Sequence, residues 1–307
     1  MYCAECLLNM TRIETRKAEI YTIVQAILWS FAPIVGALSL KSLPPILALA
    51  GMTGFALIFF LGVALYRGSL LRLRFEKGLG EAVIAAVLLA INFSLIFVGL
   101  QYTSAGNAGI IGGLEFFFSI LFFNLFRGEH LSRRDFIGGL LMVGGASLVF
   151  IPEVIEHASI NKGDALILLA NVCAPLINFF QRKARQTAKS EVILVVRGLI
   201  GLPVTCAIAF LLGERASLSQ FVEILPLLIF SGFFVFGLVK ILWIEAIHRI
   251  PVAKANALSS IAPVATVVFA YVVLGQHPTG FQLLSLIPLF IGGLILAVNR
   301  KASEASA

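Results

Sequence analysis

GLQYTSAGNAGIIGGLEFFFSILFFNLFRGEHLSRRDFIGGLLMVGGASLVF, residues 99–150, contains two apolar runs, about 105–126 and about 135–152. Arg127, Arg133 and Arg134 crowd the short segment between them. A helix needs roughly 20 apolar residues to cross the hydrocarbon core of a bilayer. No water reaches that core, so every backbone group has to be bonded within the segment, and helices are the expected solution. Further runs of similar length lie on both sides of the stretch. They cover about 18–39, 44–66 and 80–101 before it, and about 164–181, 192–212, 222–247, 252–275 and 279–298 after it. The expectation is an all-α polytopic membrane protein with ten transmembrane helices.

Composition supports this reading and excludes others. Of 307 residues, 59% are hydrophobic and only 13% are charged, against about 25% charged in ordinary soluble domains. The mean hydropathy is +0.99. A soluble fold has nowhere to hide that much apolar surface. The net charge of +7 is not a nucleic-acid signature, because the basic residues sit in short clusters between apolar runs. Nineteen of the 23 Lys and Arg fall on alternate connections if the N-terminus is cytoplasmic. Arg182, Lys183, Arg185, Lys189 and Arg197 form the largest cluster, counted together at one cytoplasmic connection. The opposite connections hold only Lys41, Lys162 and Arg215. This asymmetry predicts that both termini face the cytoplasm in a cell (inner) membrane.

The two halves echo each other. Ala32-Pro33 recurs as Ala174-Pro175, and the stretch from Gln101 aligns with the one from His248. Five spans per half is an odd number, so the second half must cross in the opposite sense. The expected organisation is a tail at 1–17, a first five-helix repeat at 18–152, an external linker at 153–163, a second repeat at 164–298 and a cytoplasmic tail at 299–307. Inverted repeats of this kind place a substrate near the midplane between them.

Residues 99–150 and their counterpart AIHRIPVAKANALSSIAPVATVVFAYVVLGQHPTGFQLLSLIPLFIGGLIL, residues 246–296, resemble the EamA-type branch of the drug/metabolite transporter superfamily. The shared pattern is a short turn, a small-residue helix and then Gly-Glu. Gly128-Glu129 matches it, whereas Gly275-Gln276 has Gln for Glu. The resemblance covers about residues 18–298. It implies export of amino acids, related metabolites or toxic compounds. The family usually has a proline in its fourth span, and Glu115-Phe116 stands there instead.

Glu115 lies about 11 residues from either end of its run. A carboxylate at that depth costs roughly 2.5–3.5 kcal/mol on insertion scales, so it should face the bundle interior or water. It is the candidate proton or substrate site; the alternative is a structural ion pair or a permanently protonated, hydrogen-bonded carboxyl. Lys240 is its natural partner, although seven residues rise only about 10 Å; snorkelling to the interface and service as an anion-binding cation are the alternatives. Glu245 and Arg249 have the spacing of a helical ion pair. Polar residues with helical spacing mark cavity-facing stripes: Gln25, Trp29 and Pro33 on the first span; Asn171, Pro175 and Asn178 on the sixth; Asn256, Ser259, Ser260, Pro263 and Thr266 on the ninth. Asn92 is the polar residue of the third span, and Ser119 lies one turn from Glu115. Pro33, Pro175 and Pro263 are candidate breaks, since a proline frees a carbonyl one turn earlier. The alternative for each stripe is interhelical hydrogen bonding.

No cofactor and no metal are expected. Cys3 and Cys6 form a lone C-x-x-C with no second pair, and no phosphate-binding loop is present. The expected partners are a small-molecule substrate, the lipid bilayer and, through the glycine-rich fifth span, a second copy in a homodimer. The favoured reading is a secondary transporter working by alternating access, with Glu115 coupling it to protons. A channel or receptor, or an intramembrane enzyme, are the other classes. The first lacks a reason for two inverted halves, and the second lacks clustered acids or histidines.

Overall fold

The computed structural model describes residues 4–69, 77–127, 133–157, 160–250, 254–255 and 258–304. Asn256, Cys3 and the Gly128-Glu129 pair lie outside the described residues. All regular structure among the described residues is helical. The first half comprises α1 (Ala4–Trp29), α2 (Ala32–Ser39), α3 (Pro45–Tyr66), α4 (Leu79–Gly99), α5 (Ala105–Gly112), α6 (Glu115–Arg127), α7 (Arg133–Ser147) and α8 (Ile151–His157). The second comprises α9 (Lys162–Arg185), α10 (Ser190–Leu211), α11 (Leu218–Glu223), α12 (Leu225–Phe230), α13 (Val239–Arg249), α14 (Ala262–Leu274) and α15 (Gly280–Glu304). Between α12 and α13 the chain winds as a π-helix over Ser231–Leu238.

Local chemistry sets several starts and stops. Ser104 caps α5 by accepting from the Asn107 N–H at 3.0 Å, and Asn161 caps α9 by accepting from Gly163 at 2.7 Å. Ser217 and Gln220 form a reciprocal capping box at α11. Gly275 ends α14 with φ +66°, a left-handed turn that costs glycine little.

Among the described residues, six stretches are long and apolar enough to cross a membrane: Glu14–Ser39, Pro45–Tyr66, Leu79–Gly99, Lys162–Arg185, Ser190–Leu211 and Leu225–Arg249. Phe136–Phe150, Ser259–Leu274 and Gly280–Ile295 are shorter apolar helices. The expected fourth run is not one helix, because Gly113 and Leu114 interrupt it between α5 and α6. Large apolar side chains such as Phe210, Leu211 and Val272 point outward, which suits a lipid surrounding rather than water.

The helices associate pairwise: α3 with α10, α5 with α14, α7 with α15, α4 with α9, and α13 with α1. Exchanging the two halves maps this set of pairs onto itself. Small residues make the close approaches possible. A Cβ on Gly109 of α5 would come within 2.5 Å of Thr266 on α14, and one on Gly145 of α7 within 2.9 Å of Pro288 on α15. At Gly163 of α9 an added Cβ would collide with the Gly99 carbonyl of α4. The glycines of the fifth span therefore serve, at Gly145, an internal seam.

The ion pairs between helices gather at one end of the bundle. Ion pairs there join Arg67 to Glu191 (2.5 Å), Lys183 to Glu81 (3.1 Å), Arg185 to Glu245 (3.2 Å), Arg249 to Glu14 (3.1 Å) and Lys254 to Glu19 (3.0 Å). The expected Glu245–Arg249 pair also forms. Arg197 departs from expectation. It is not at a connection but inside α10, one of the six span-length helices.

Candidate functional site: a cavity at the helix breaks

Three of the helical runs are interrupted where their residues line one cavity. Pro33 separates α1 from α2, and the chain turns at Ser30 and Phe31. Gly113 and Leu114 separate α5 from α6. A single 3₁₀ turn, Ser259–Ile261, precedes α14, with Pro263 in its first turn. The fourth run thus keeps a break without the family's proline. There the N–H of Gly113 reaches the Ile110 carbonyl at 3.0 Å, and that of Leu114 reaches Ile111 at 3.0 Å, which is 3₁₀ bonding. In the sixth run α9 stays continuous through Pro175.

The breaks surround a cavity of about 170 Å³. Its wall includes Gln25, Trp29 and Pro33 from the first run, Asn92 from α4, Glu115 from α6, and Asn171 and Asn178 from α9. Lys240 from α13, and Ser259, Ser260, Pro263 and Thr266 from the ninth run, complete the expected set on the wall. Two expected residues stand elsewhere. Ser119 is fully buried off the wall, because one turn along α6 carries it into the helix packing; Pro175 is buried beside the wall residue Ala174.

Polar groups in the cavity are joined across the halves. Trp243 Nε1 donates to Asn178 Oδ1 at 3.3 Å, and Asn178 Nδ2 donates to Glu115 Oε1 at 2.7 Å. Glu115 opens α6, where the helix dipole favours a negative charge. Asn92 holds the Ala170 carbonyl at 2.6 Å, and Asn171 holds Ile167 at 2.8 Å. Thr266 Oγ1 donates to the Ser30 carbonyl at 3.1 Å, inside the first break. Ser259 reaches Gln25 at 3.3 Å.

Lys240 does not snorkel away. Its Nζ lies 3.5 Å from the centroid of the Trp29 ring and 5.3 Å from that of Phe93. A desolvated contact of this kind contributes about 2 kcal/mol. Lys240 and Glu115 interact electrostatically across the cavity but form no ion pair within 4.0 Å. The expectation of a direct pair is thereby corrected: the amide of Asn178 occupies the near oxygen of Glu115, and an aromatic face holds the ammonium.

Four participants went unread in the sequence. Trp243 is three residues from Lys240 on α13, a spacing that puts both on one face. Arg197 places its guanidinium carbon 5.5 Å from the Phe93 centroid; its position inside an apolar run was the available signal. Phe93 and Phe236 pack edge-to-face at 5.4 Å beside Trp29. The π-helix that precedes Lys240 has no signature in SGFFVFGL. Such π segments occur often at functional sites.

A family model, the EamA-like transporter family, matches residues 16–151 and again 161–298. The chain belongs to the EamA-like transporter family. Its two matched segments are the two halves described above, so the cavity lies where the two EamA-like repeats meet. Among EamA-like relatives, "Uncharacterized transporter YyaM" of Bacillus subtilis is 23% identical over 78% of this chain and 80% of its own length. "Uncharacterized transporter sll1164" of Synechocystis is 21% identical over 68% of this chain and 62% of its own. A solved structure titled only "Crystal structure of protein" superposes with a TM-score of 0.70 at 19% identity. It covers 92% of this chain and 98% of that one, and supports the fold alone. The protein is accordingly a multi-pass membrane transporter of the EamA family.

Proposed function

We propose that the protein is a secondary exporter of small metabolites, amino acids or related and toxic compounds, working by alternating access between two inverted five-helix repeats. Both termini face the cytoplasm. The supporting pattern is the placement of every ion pair named above at the end that the positive-inside rule assigns to the cytoplasm. The substrate binds in the cavity at the helix breaks, against Glu115, Asn171, Asn178 and Lys240. Rocking of one repeat against the other about the glycine seams exposes this cavity to alternate sides.

The observation that carries the reading is Glu115. It is an intramembrane carboxyl on a cavity wall, bonded to Asn178 of the other half. A carboxyl in that place gains or loses a proton with large consequence, because each state alters the field on Lys240 and on any bound ligand. Proton coupling is assigned to it.

Comparative extracellular metabolomics tests the reading. Cells overproduce the wild type, Glu115→Gln or an empty vector. The expected result is a metabolite that accumulates outside only with the wild type. Equal accumulation with Glu115→Gln removes the proton role and keeps the exporter. No difference from the empty vector for any metabolite counts against export.

A further inference from the structure

Two kinds of partnered cation stand out among the described residues. At the charged end Arg67, Lys183, Arg185, Arg249 and Lys254 each hold a carboxylate within 3.2 Å. The two within the spans do not. Lys240 has the rings of Trp29 and Phe93, and Arg197 has the ring of Phe93. Neither has a carboxylate within 4.0 Å among the described residues. Both cations lie near one phenylalanine ring, close enough to repel each other. Burying a cation without an anion is costly, and two side by side cost more. Among the described residues Glu115 is the single acid on the cavity wall, and the Asn178 amide already engages it.

The acid end of the cavity is thus supplied with a protein donor, while the basic end has π faces in contact and only the field of Glu115 from across the cavity. The surroundings of the basic end are aromatic. Trp29, Phe93 and Phe236 form a cluster with centroids 5.4–6.1 Å apart. Lys240 stands at the edge of that cluster, on the wall of a cavity of about 170 Å³.

We propose that the cavity selects amphipathic organic monoanions: compounds with an aromatic or apolar body, one carboxylate and no ammonium group. The inference rests on the carrier reading above and narrows its substrate class to members without an ammonium group, which sets free amino acids aside. The carboxylate of the ligand pairs with Lys240, and the field of Arg197 reinforces it from beyond the Phe93 ring. The apolar body lies along Trp29, Phe93 and Phe236. An ammonium group on the ligand is disfavoured, because Lys240 already occupies the Trp29 face and repels a second cation. Electrostatic complementarity of this kind sets specificity as much as affinity.

The chain has two tryptophans, and both, Trp29 and Trp243, line the cavity. Intrinsic fluorescence therefore reports on it directly. The full-length protein in lipid nanodiscs is titrated with four matched probes: phenylacetate, phenylalanine, 2-phenylethanol and phenethylamine. Phenylacetate is expected to bind most tightly and phenethylamine least. Lys240→Gln should weaken phenylacetate by about thirtyfold or more, the loss of one partner of a buried charge pair, and leave 2-phenylethanol unchanged. Lys240→Arg should recover most of the loss. The probe ranking needs only the wild type, so a poorly folding variant does not remove the test. Tighter binding of phenylalanine or phenethylamine than of phenylacetate overturns the proposal, as does binding of no probe. Insensitivity of phenylacetate to Lys240→Gln overturns it too. The export assay separates the two readings: export intact with no preference for the anion defeats this inference alone, whereas loss of export defeats the carrier.

Discussion

The two halves of the molecule share their geometry and divide their chemistry. At the repeat spacing, Glu115-Phe116 of the first half meets Ala262-Pro263 of the second, and both positions follow a break in the helix. Phe93 on α4 meets Lys240 on α13, and Trp29 corresponds to Asn171. Among the described residues, a carboxyl therefore comes to this cavity only from the first half, and the cations beside it, Lys240 and Arg197, only from the second. Helix breaks can be duplicated without charge because they depend on backbone, near a proline in one case and at Gly113-Leu114 in the other. A charged site gains nothing from duplication: a second Glu at Ala262 would face no amide like Asn178. The teaching of the comparison is that repeat symmetry supplies the hinge pattern and asymmetry supplies the ligand selectivity.

The largest expected effect comes from moving the carboxyl across the repeat. Glu115→Ala is expected to reduce transport to the level of an empty vector, and adding Ala262→Glu should not restore it. Recovery of export in the double variant would show that either half can host the acid. Lys240→Gln comes next, with transport expected to fall by about a hundredfold in a proteoliposome assay. Retention of wild-type rates would detach the buried cation from function.

Smaller effects concern the shared geometry. Gly109→Ala forces α5 away from Thr266 and should cost about 2 kcal/mol, read as a lower thermal midpoint. Gly112→Ala, three residues along with nothing within 4 Å of an added Cβ, should change stability by less than about 0.5 kcal/mol. Equal shifts for the two would refute the seam. Pro263→Ala should leave stability nearly unchanged and slow transport a few-fold, since Gly113 keeps the matching break in the other half. A complete loss of transport would make the two breaks unequal in importance.

Much of the fold was legible because lipid imposes its constraint along the chain. Apolar length, Lys and Arg placement and the echo between residues 99–150 and 246–296 each depend on local sequence. The wall of the cavity was also largely readable, because an Asn, Trp or Glu in an apolar run has few places to face. What escaped depends on tertiary contact. Glycine in an apolar helix signals close packing and a break equally well, so the small-residue helix in this run gives no sign of the interruption at Gly113. Seven residues from a helix end, Lys240 has both snorkelling and burial within reach, and only the position of Trp29 on another helix decides between them. Arg197 sits close enough to a basic cluster that charge counting absorbed it, although the apolar run around it already placed it within a helix. Pro175 was read like Pro33, yet α9 runs through it.

The central claim is that Glu115 of one half and Lys240 of the other act on one ligand in one cavity. A double-mutant cycle tests it most directly: transport rates for the wild type, Glu115→Gln, Lys240→Gln and the double variant, measured in the same vesicles. Groups that act together are non-additive, with coupling above about 0.5 kcal/mol. The account predicts that the double variant loses no more than the worse single variant. Losses that simply add would mean that the two charges work independently, and would contradict it.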